Sequence, residues 1–331
     1  MKPIKLAVIG SGYWGQKLVG EYISLQNNTG KVELKAVVDP SPERINQTKI
    51  KHGEHQYKND YKELLDDKEL QAVHIATPNE THYSIALDFL KNGKNVLLEK
   101  PMTLVAGEAK ELLDLADKNN LVLSTGHIFR FNNSIRELYK DLRTGYFGNV
   151  YYLSLTWADY LPPQFNKDII MDLAPHPVDI CNYLLDMWPQ KVTCWGQGFR
   201  TKQEEVAFIT LEYITGLSAY IVLSWLDPDK KREVGLLASK AVAKVDCDKQ
   251  VGFYRNNGRQ EMNIKPNNTI LDEIEHFINC VNSNINDDPF INLSHGKIGV
   301  KTVQILNQAQ NSLNQRRTLD TALRDDIGRV K

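Results

Sequence analysis

The chain has 331 residues, with 40 Lys+Arg against 41 Asp+Glu. That length predicts two domains with room for sizeable cores, and the even charge, with no basic block or acidic tail, excludes a nucleic-acid or membrane-surface reader. Cys181, Cys194, Cys247 and Cys280 are scattered without a C-x-x-C pair, so neither a zinc site nor a disulfide framework is expected and no metal is assigned. The apolar run in MKPIKLAVIGSG is broken by glycine too early for a signal segment, and no stretch approaches the ~20 apolar residues of a membrane helix. A cytoplasmic protein is expected.

Residues 4–9 form a short apolar run that ends at Gly10-Ser11-Gly12-Tyr13-Trp14-Gly15. Beyond it Leu18, Val19, Tyr22, Ile23 and Leu25 recur at helical spacing, so the glycines join a buried strand to a helix. In that context the first Gly permits the tight turn, the second admits the backbone to a pyrophosphate, and the third lets helix and strand pack closely. The free N–H groups of the helix start favour the phosphates. Residues 32–38 read as a second strand stopping at Asp39, whose carboxylate can accept from ribose hydroxyls and would repel a 2'-phosphate, so NAD is expected over NADP. Arg44, close in sequence, is the residue that could accommodate that phosphate.

Asp60-Tyr61-Lys62-Glu63 has the form of a capping box opening a short helix. Strands follow at 72–76 and 95–98, with a helix from about 81 to 90 between them. Thr103 is placed to cap a long helix reaching residue 117, and 121–124 read as one more strand. Strand and helix alternating in this way predict a doubly wound parallel sheet over residues 1–125.

From residue 126 to 331 the pattern differs. Runs at 150–157, 192–196, 206–213, 217–225, 233–237 and 241–245 alternate without intervening helices, which predicts an open, mainly antiparallel sheet. Helices are expected at 134–144, 177–185, 271–282 and 297–313, making an α+β domain, and 314–331 read as a polar tail. His52 and His55 lie in a polar segment and are expected to face solvent.

Two stretches carry chemistry. Glu99-Lys100-Pro101 ends a sheet strand, where ligands of doubly wound folds bind. In Met171-Asp172-Leu173-Ala174-Pro175-His176-Pro177, the prolines fit only a helix entry. Asp172 and His176 therefore sit together at a helix start, either as cap and packing or as part of a pocket.

With these motifs in order, AVIGSGYWG, VVDP, ATPNETH, EKP, TGYFGNV and DLAPHPVD, the sequence resembles the Gfo/Idh/MocA family of sugar and cyclitol oxidoreductases over essentially its whole length. The resemblance implies a Rossmann domain that holds NAD(H) or NADP(H), followed by an α+β domain for substrate binding and oligomer formation. A homodimer or homotetramer is then expected. It also implies hydride transfer between the nicotinamide and a ring secondary alcohol or ketone of a sugar. On the matching positions Lys100, Asp172 and His176 form the catalytic set: His176 as general base, Lys100 as donor to the reacting oxygen, and Asp172 as the orienting carboxylate.

Tyr13, Trp14, Glu99 and Lys100 join the glycines, Asp39 and Arg44 around the cofactor. Thr77, Pro78, Asn79 and His82 lie beside its nicotinamide half, with His82 alternatively a helix-surface residue. His127, Arg130 and Asn132, at the domain junction, and Trp157 are expected around the sugar, flanked by Asp159 and Tyr160. Arg130 would meet a phosphate or carboxylate, or else serve as an inter-domain ion-pair residue. The motifs are most similar to a branch acting on nucleotide-linked amino sugars such as UDP-N-acetylglucosamine or its uronate. An inositol or free-sugar dehydrogenase, and a non-catalytic dinucleotide- and sugar-binding regulator, are the other readings.

Overall fold

A computed structural model describes residues 2–165, 167–286 and 290–315; the polar tail lies outside them except for its first two residues. In chain order the first lobe contains β1 (Ile4–Ile9), α1 (Tyr13–Thr29), β2 (Val32–Val38), α2 (Pro42–His52), β3 (Tyr57–Lys58), β4 (Ala72–Ile75), α3 (His82–Lys91), β5 (Asn95–Leu98), α4 (Ala106–Lys118) and β6 (Leu123–Thr125). The strands form one parallel sheet in the order β3-β2-β1-β4-β5-β6. Its strand order reverses between β1 and β4, which opens a crevice at the carboxyl ends of the strands. Near-continuous burial of β1, β4 and β5 is what a sheet covered on both faces requires.

The second lobe contains α5 (Asn133–Arg143), β7 (Val150–Tyr160), α6 (Ile169–Leu173), α7 (Pro175–Leu185), β8 (Lys191–Gln197), β9 (Val206–Glu212), β10 (Ser218–Ser224), β11 (Leu226–Ala238), β12 (Val242–Asp246), β13 (Val251–Arg255), β14 (Arg259–Glu261), α8 (Thr269–Asn286) and α9 (Gly296–Asn314). Its eight strands are antiparallel except where β10 runs parallel to β7. One face carries Leu155, Ile209, Ile221 and Val234, buried under α5 to α7 and α9. The other is bare and aromatic, with Trp195, Phe208 and Tyr220 each about half exposed.

A cut between residues 125 and 126 separates the two sheets but not the cores. Ile274, Phe277 and Val281 of α8 pack with β1 and α1 on one face of the parallel sheet. Val300 and Val303 of α9 pack with α4 on the other face. The chain thus returns to stiffen the first lobe, and the crevice between lobes is spanned by continuous helices.

Several local expectations change. Residues 61–64 make only a 3-10 turn; Asp60 caps it by accepting from Lys62 N at 2.9 Å, while Glu63 turns away to Lys58. Thr103 does not cap α4: its hydroxyl donates to Val105 O. The first N–H of the helix instead donates to Asn307 Oδ1 of α9, 3.0 Å away. His52 is half-buried against Gly20, with its Nε2 enclosed. α2, β3, β13, β14 and α6 were not foreseen; β3, β14 and α6 are too brief to show a period.

Candidate active site

Gly10 has φ +97°, and a Cβ there would stand 2.5 Å from Ala76 O; a Cβ at Gly15 would stand 2.0 Å from Gly10 O. Both glycines are therefore demanded by contact between the turn and its neighbours. At Gly12 a Cβ would meet nothing within 4 Å, and Gly12 caps α1 with no side-chain hydrogen bond. This open cradle, with helix N–H groups unserved by any side chain, fits a pyrophosphate. Asp39 stands at the tip of β2 beside it, its two oxygens accepting from Ser11 N at 2.8 Å and Ser41 N at 2.9 Å. Arg44 is largely exposed, 3.8 Å from that carboxylate. A dinucleotide would be held by the Gly10–Gly15 turn at its phosphates and by Asp39 at a ribose.

The turn leads into a cavity of about 640 Å³ between the lobes. Tyr13 and Trp14 of α1, Thr77 and Asn79 after β4, His82, and Glu99 and Lys100 after β5 form its first-lobe wall. Trp14 Nε1 donates to Glu99 Oε1 at 2.5 Å, and His74 Nε2 lies 3.3 Å from the same oxygen. Burial works against the Glu99 charge, but His74, Trp14 and Lys100 outweigh it and hold the carboxyl below its usual range. Gly126 leaves room for this group, since a Cβ there would come within 2.8 Å of Glu99 Oε2. His82 is not a surface histidine: it is fully buried, with Nδ1 2.9 Å from Pro101 O and Nε2 3.0 Å from Thr77 O. It fastens the loop that carries Lys100 to the loop that carries Thr77.

The second-lobe wall brings Trp157 and Asp159 of β7, Asp172 and His176, and Arg232 of β11. Asp168 opens α6 by accepting from Ile170 N and Met171 N, and Pro175 starts α7 immediately after it. Two short helices joined at Ala174 thereby aim Asp172 and His176 at one point. Lys100 Nζ crosses the crevice to donate to the backbone carbonyl of Asp172 at 2.8 Å, with Asp172 Oδ1 3.9 Å away. His176 packs edge-on against Phe129, its Nδ1 enclosed without a partner, so the position it offers for proton transfer is Nε2. Burial first, and then the positive charge of Lys100, push its pKa well below the ordinary histidine value. A neutral imidazole beside an ammonium can accept a proton from an alcohol while the ammonium donates to the same oxygen.

His127, Arg130 and Asn132 lie outside the cavity wall. Arg130 is buried and engaged with Asp179, Nε to Oδ1 at 2.8 Å and Nη2 to Oδ1 at 2.7 Å, and with Asn182 and Leu293 O. It is an ion-pair residue, with its pair inside the second lobe and not between the lobes. His127 is buried beside Asp179 at 3.9 Å. Asn132 caps α5 and donates to Cys247 O. Pro78 serves its own 3-10 turn by accepting from Thr81 N, and Tyr160 is exposed away from the wall. Sequence reasoning missed Lys17, Phe129, Lys167, Lys230, Arg232 and Asp248 on the wall. Two of them, Lys230 and Arg232, fall in the charged stretch DPDKKREV, which reads as a solvated surface until β11 is paired with β7.

The description "Oxidoreductase family, NAD-binding Rossmann fold" of the Gfo/Idh/MocA proteins matches residues 4–127, and the Gfo/Idh/MocA C-terminal domain matches residues 135–244. The chain belongs to the Gfo/Idh/MocA oxidoreductase family, and its first lobe is the NAD-binding Rossmann domain. Among its relatives is the UDP-N-acetylglucosamine 3-dehydrogenase of Acidithiobacillus ferrooxidans, 28% identical over 225 residues that cover 64% of this chain and 71% of that one. The solved structure of that enzyme superposes with a TM-score of 0.83 at 25% identity, covering 95% of this chain and 99% of the other. An inositol dehydrogenase homologue from Azotobacter vinelandii, solved with NADH and myo-inositol, shares the fold at 18% identity and a TM-score of 0.83, with 95% and 96% covered.

Proposed function

We propose that the protein is an NAD(H)-dependent dehydrogenase acting on a ring secondary alcohol of a sugar carried on a nucleotide, of the amino-sugar type. The observation that carries this reading is the meeting of Lys100 and His176, from opposite lobes, on one cavity that adjoins the glycine turn. When bound, the nicotinamide supplies the hydride acceptor. Lys100 Nζ donates to the substrate oxygen and stabilises its developing negative charge. His176 Nε2 takes the hydroxyl proton, and Asp172 orients the hydroxyl and the Lys100 ammonium together. Asp39 favours the unphosphorylated ribose of NAD(H). A nucleotide-linked sugar is supported by the size of the cavity and by the relative from Acidithiobacillus ferrooxidans. A regulator that only binds ligands would have no need of a proton-transfer pair.

The same reading places the protein in the cytoplasm as a homodimer or homotetramer. All four cysteines are buried thiols, which suits a reducing compartment, and no helix among the described residues is long and apolar enough to cross a membrane. The bare aromatic face of the second sheet suits a second copy. The test is reduction of NAD followed at the absorbance band of the reduced nicotinamide, with UDP-N-acetylglucosamine, its uronate, free N-acetylglucosamine and myo-inositol as substrates. Turnover of the nucleotide sugars supports the proposal. Turnover of myo-inositol alone moves the substrate to cyclitols, and binding without reduction removes the redox assignment.

A further inference from the structure

Several charged groups on the cavity wall are matched. Lys100 faces Asp172, and Lys230 pairs with Asp248 at 2.6 Å. Arg232 is different. It is half-buried, and among the described residues no carboxylate lies within ion-pair distance of it. Its Nη1 donates to the carbonyls of Ala158 and Lys231 at 2.7 and 2.8 Å, and its guanidinium lies 5.9 Å from the Trp157 ring centroid. Trp157 is its direct partner across the β7–β11 ladder.

A guanidinium presents five N–H donors in a rigid fork. With Nη1 engaged by two carbonyls, Nε and Nη2 remain as a pair suited to two oxygens of one anion. Holding such a cation on a buried wall is costly unless an anion joins it. Burial pulls its pKa below the ordinary arginine value, against the pull of Asp248, Asp159 and Asp172, and the group stays charged. Lys167, which also lines the cavity and forms no ion pair among the described residues, adds positive potential on the same wall.

Resting on the sugar-dehydrogenase reading, we propose that Arg232 is a specificity-determining residue that grips the anionic substituent of the sugar. That substituent is either a carboxylate on the ring or a phosphate of its nucleotide linkage. Trp157, the cross-strand neighbour 5.9 Å from the guanidinium, flanks the fork. The substrate class is therefore an acidic or phosphate-linked sugar, and a neutral polyol would leave this cation unanswered.

Calorimetric titration of NADH-saturated protein tests this without requiring turnover. The three probes are N-acetylglucosamine, which is neutral, N-acetylglucosaminuronate, which carries only the carboxylate, and UDP-N-acetylglucosamine, which carries only phosphate. The expected result is that one anionic probe binds at least tenfold more tightly than the neutral one. In Arg232→Gln that ratio should fall by roughly tenfold or more, to near parity, with Arg232→Lys restoring part of it and NADH affinity unchanged in both. Which anionic probe loses affinity says whether carboxylate or phosphate is read. Equal weakening of all three probes, or no preference in the parent protein, overturns the proposal and leaves Arg232 as packing for Trp157. Hydride transfer is measured in parallel: an anion preference without turnover would keep Arg232 in its role while refuting the dehydrogenase assignment.

Discussion

Lys100 Nζ and the backbone carbonyl of Asp172 are 2.8 Å apart, a hydrogen bond that joins the end of a first-lobe strand to a second-lobe helix. The ammonium is thus positioned before any alcohol arrives. Replacing Lys100 by Met keeps the bulk of the stem but removes the donor. We expect kcat to fall by about 10²- to 10⁴-fold, with NADH affinity, measured by fluorescence quenching, changed less than threefold. A variant that retained near-parental turnover would show that the oxygen is activated by another group.

As the proposed base, His176 sets the acid limit of the activity. Its pKa lies well below the ordinary histidine value, from burial and from Lys100, His127 and Arg232. The neutral ring, able to accept a proton, therefore persists to lower pH than in an ordinary histidine. The acid limb of kcat/KM for alcohol oxidation should fall below the ~6.5 of a free histidine, and His176→Asn should abolish that limb along with most of the rate. A limb centred near 6.5 in the parent protein would assign the base elsewhere.

Gly12 and Gly15 should separate binding from folding. Gly15→Ala forces a Cβ against Gly10 O and should cost about 1–3 kcal/mol in denaturant unfolding. Gly12→Ala meets no protein atom, so its stability should change by less than ~0.5 kcal/mol. Its new methyl group would project into the cradle, and NAD affinity should weaken roughly tenfold or more. Unchanged affinity in Gly12→Ala would move the phosphates off the turn.

Arg130→Met leaves Asp179 buried without its guanidinium. The expected loss is about 3–5 kcal/mol of stability, read by denaturant unfolding. Sugar affinity of the fraction that remains folded should change little, because Arg130 does not line the cavity. A stable variant with a selective loss of sugar affinity would reinstate Arg130 as a ligand contact.

His276 should contribute to acid sensitivity. Its Nε2 accepts from Leu293 N at 3.0 Å, which requires the neutral ring, and burial with help from Arg136 pushes its pKa down to about 4. Below about 6.5 the unfolded chain takes up a proton that the folded chain refuses until about 4. Stability from this group is therefore fully present above 6.5 and drains away as pH falls toward 4. His276→Gln keeps an acceptor but does not titrate. Between pH 7 and pH 4.5 its Tm should drop by a few degrees less than that of the parent; identical drops would show that the histidine titrates normally.

The strand–turn–helix around Gly10 to Gly15, the alternation of the first lobe, the antiparallel second sheet and the Lys100, Asp172 and His176 motifs were all legible in the sequence. The fold features rest on short-range rules, backbone freedom at glycine, side-chain period and proline at a helix entry, whereas the set Lys100, Asp172 and His176 was drawn from the resemblance to the family. What only the tertiary structure decided are the partners reached across long loops. Arg130 is consumed by Asp179, α4 takes its first acceptor from Asn307, and Arg232 is turned from a surface charge into part of the cavity wall by the pairing of β11 with β7. Local pattern says which way a chain runs, but the energy of a buried charge depends on what folds against it, and that is set by register and packing between segments distant in the chain.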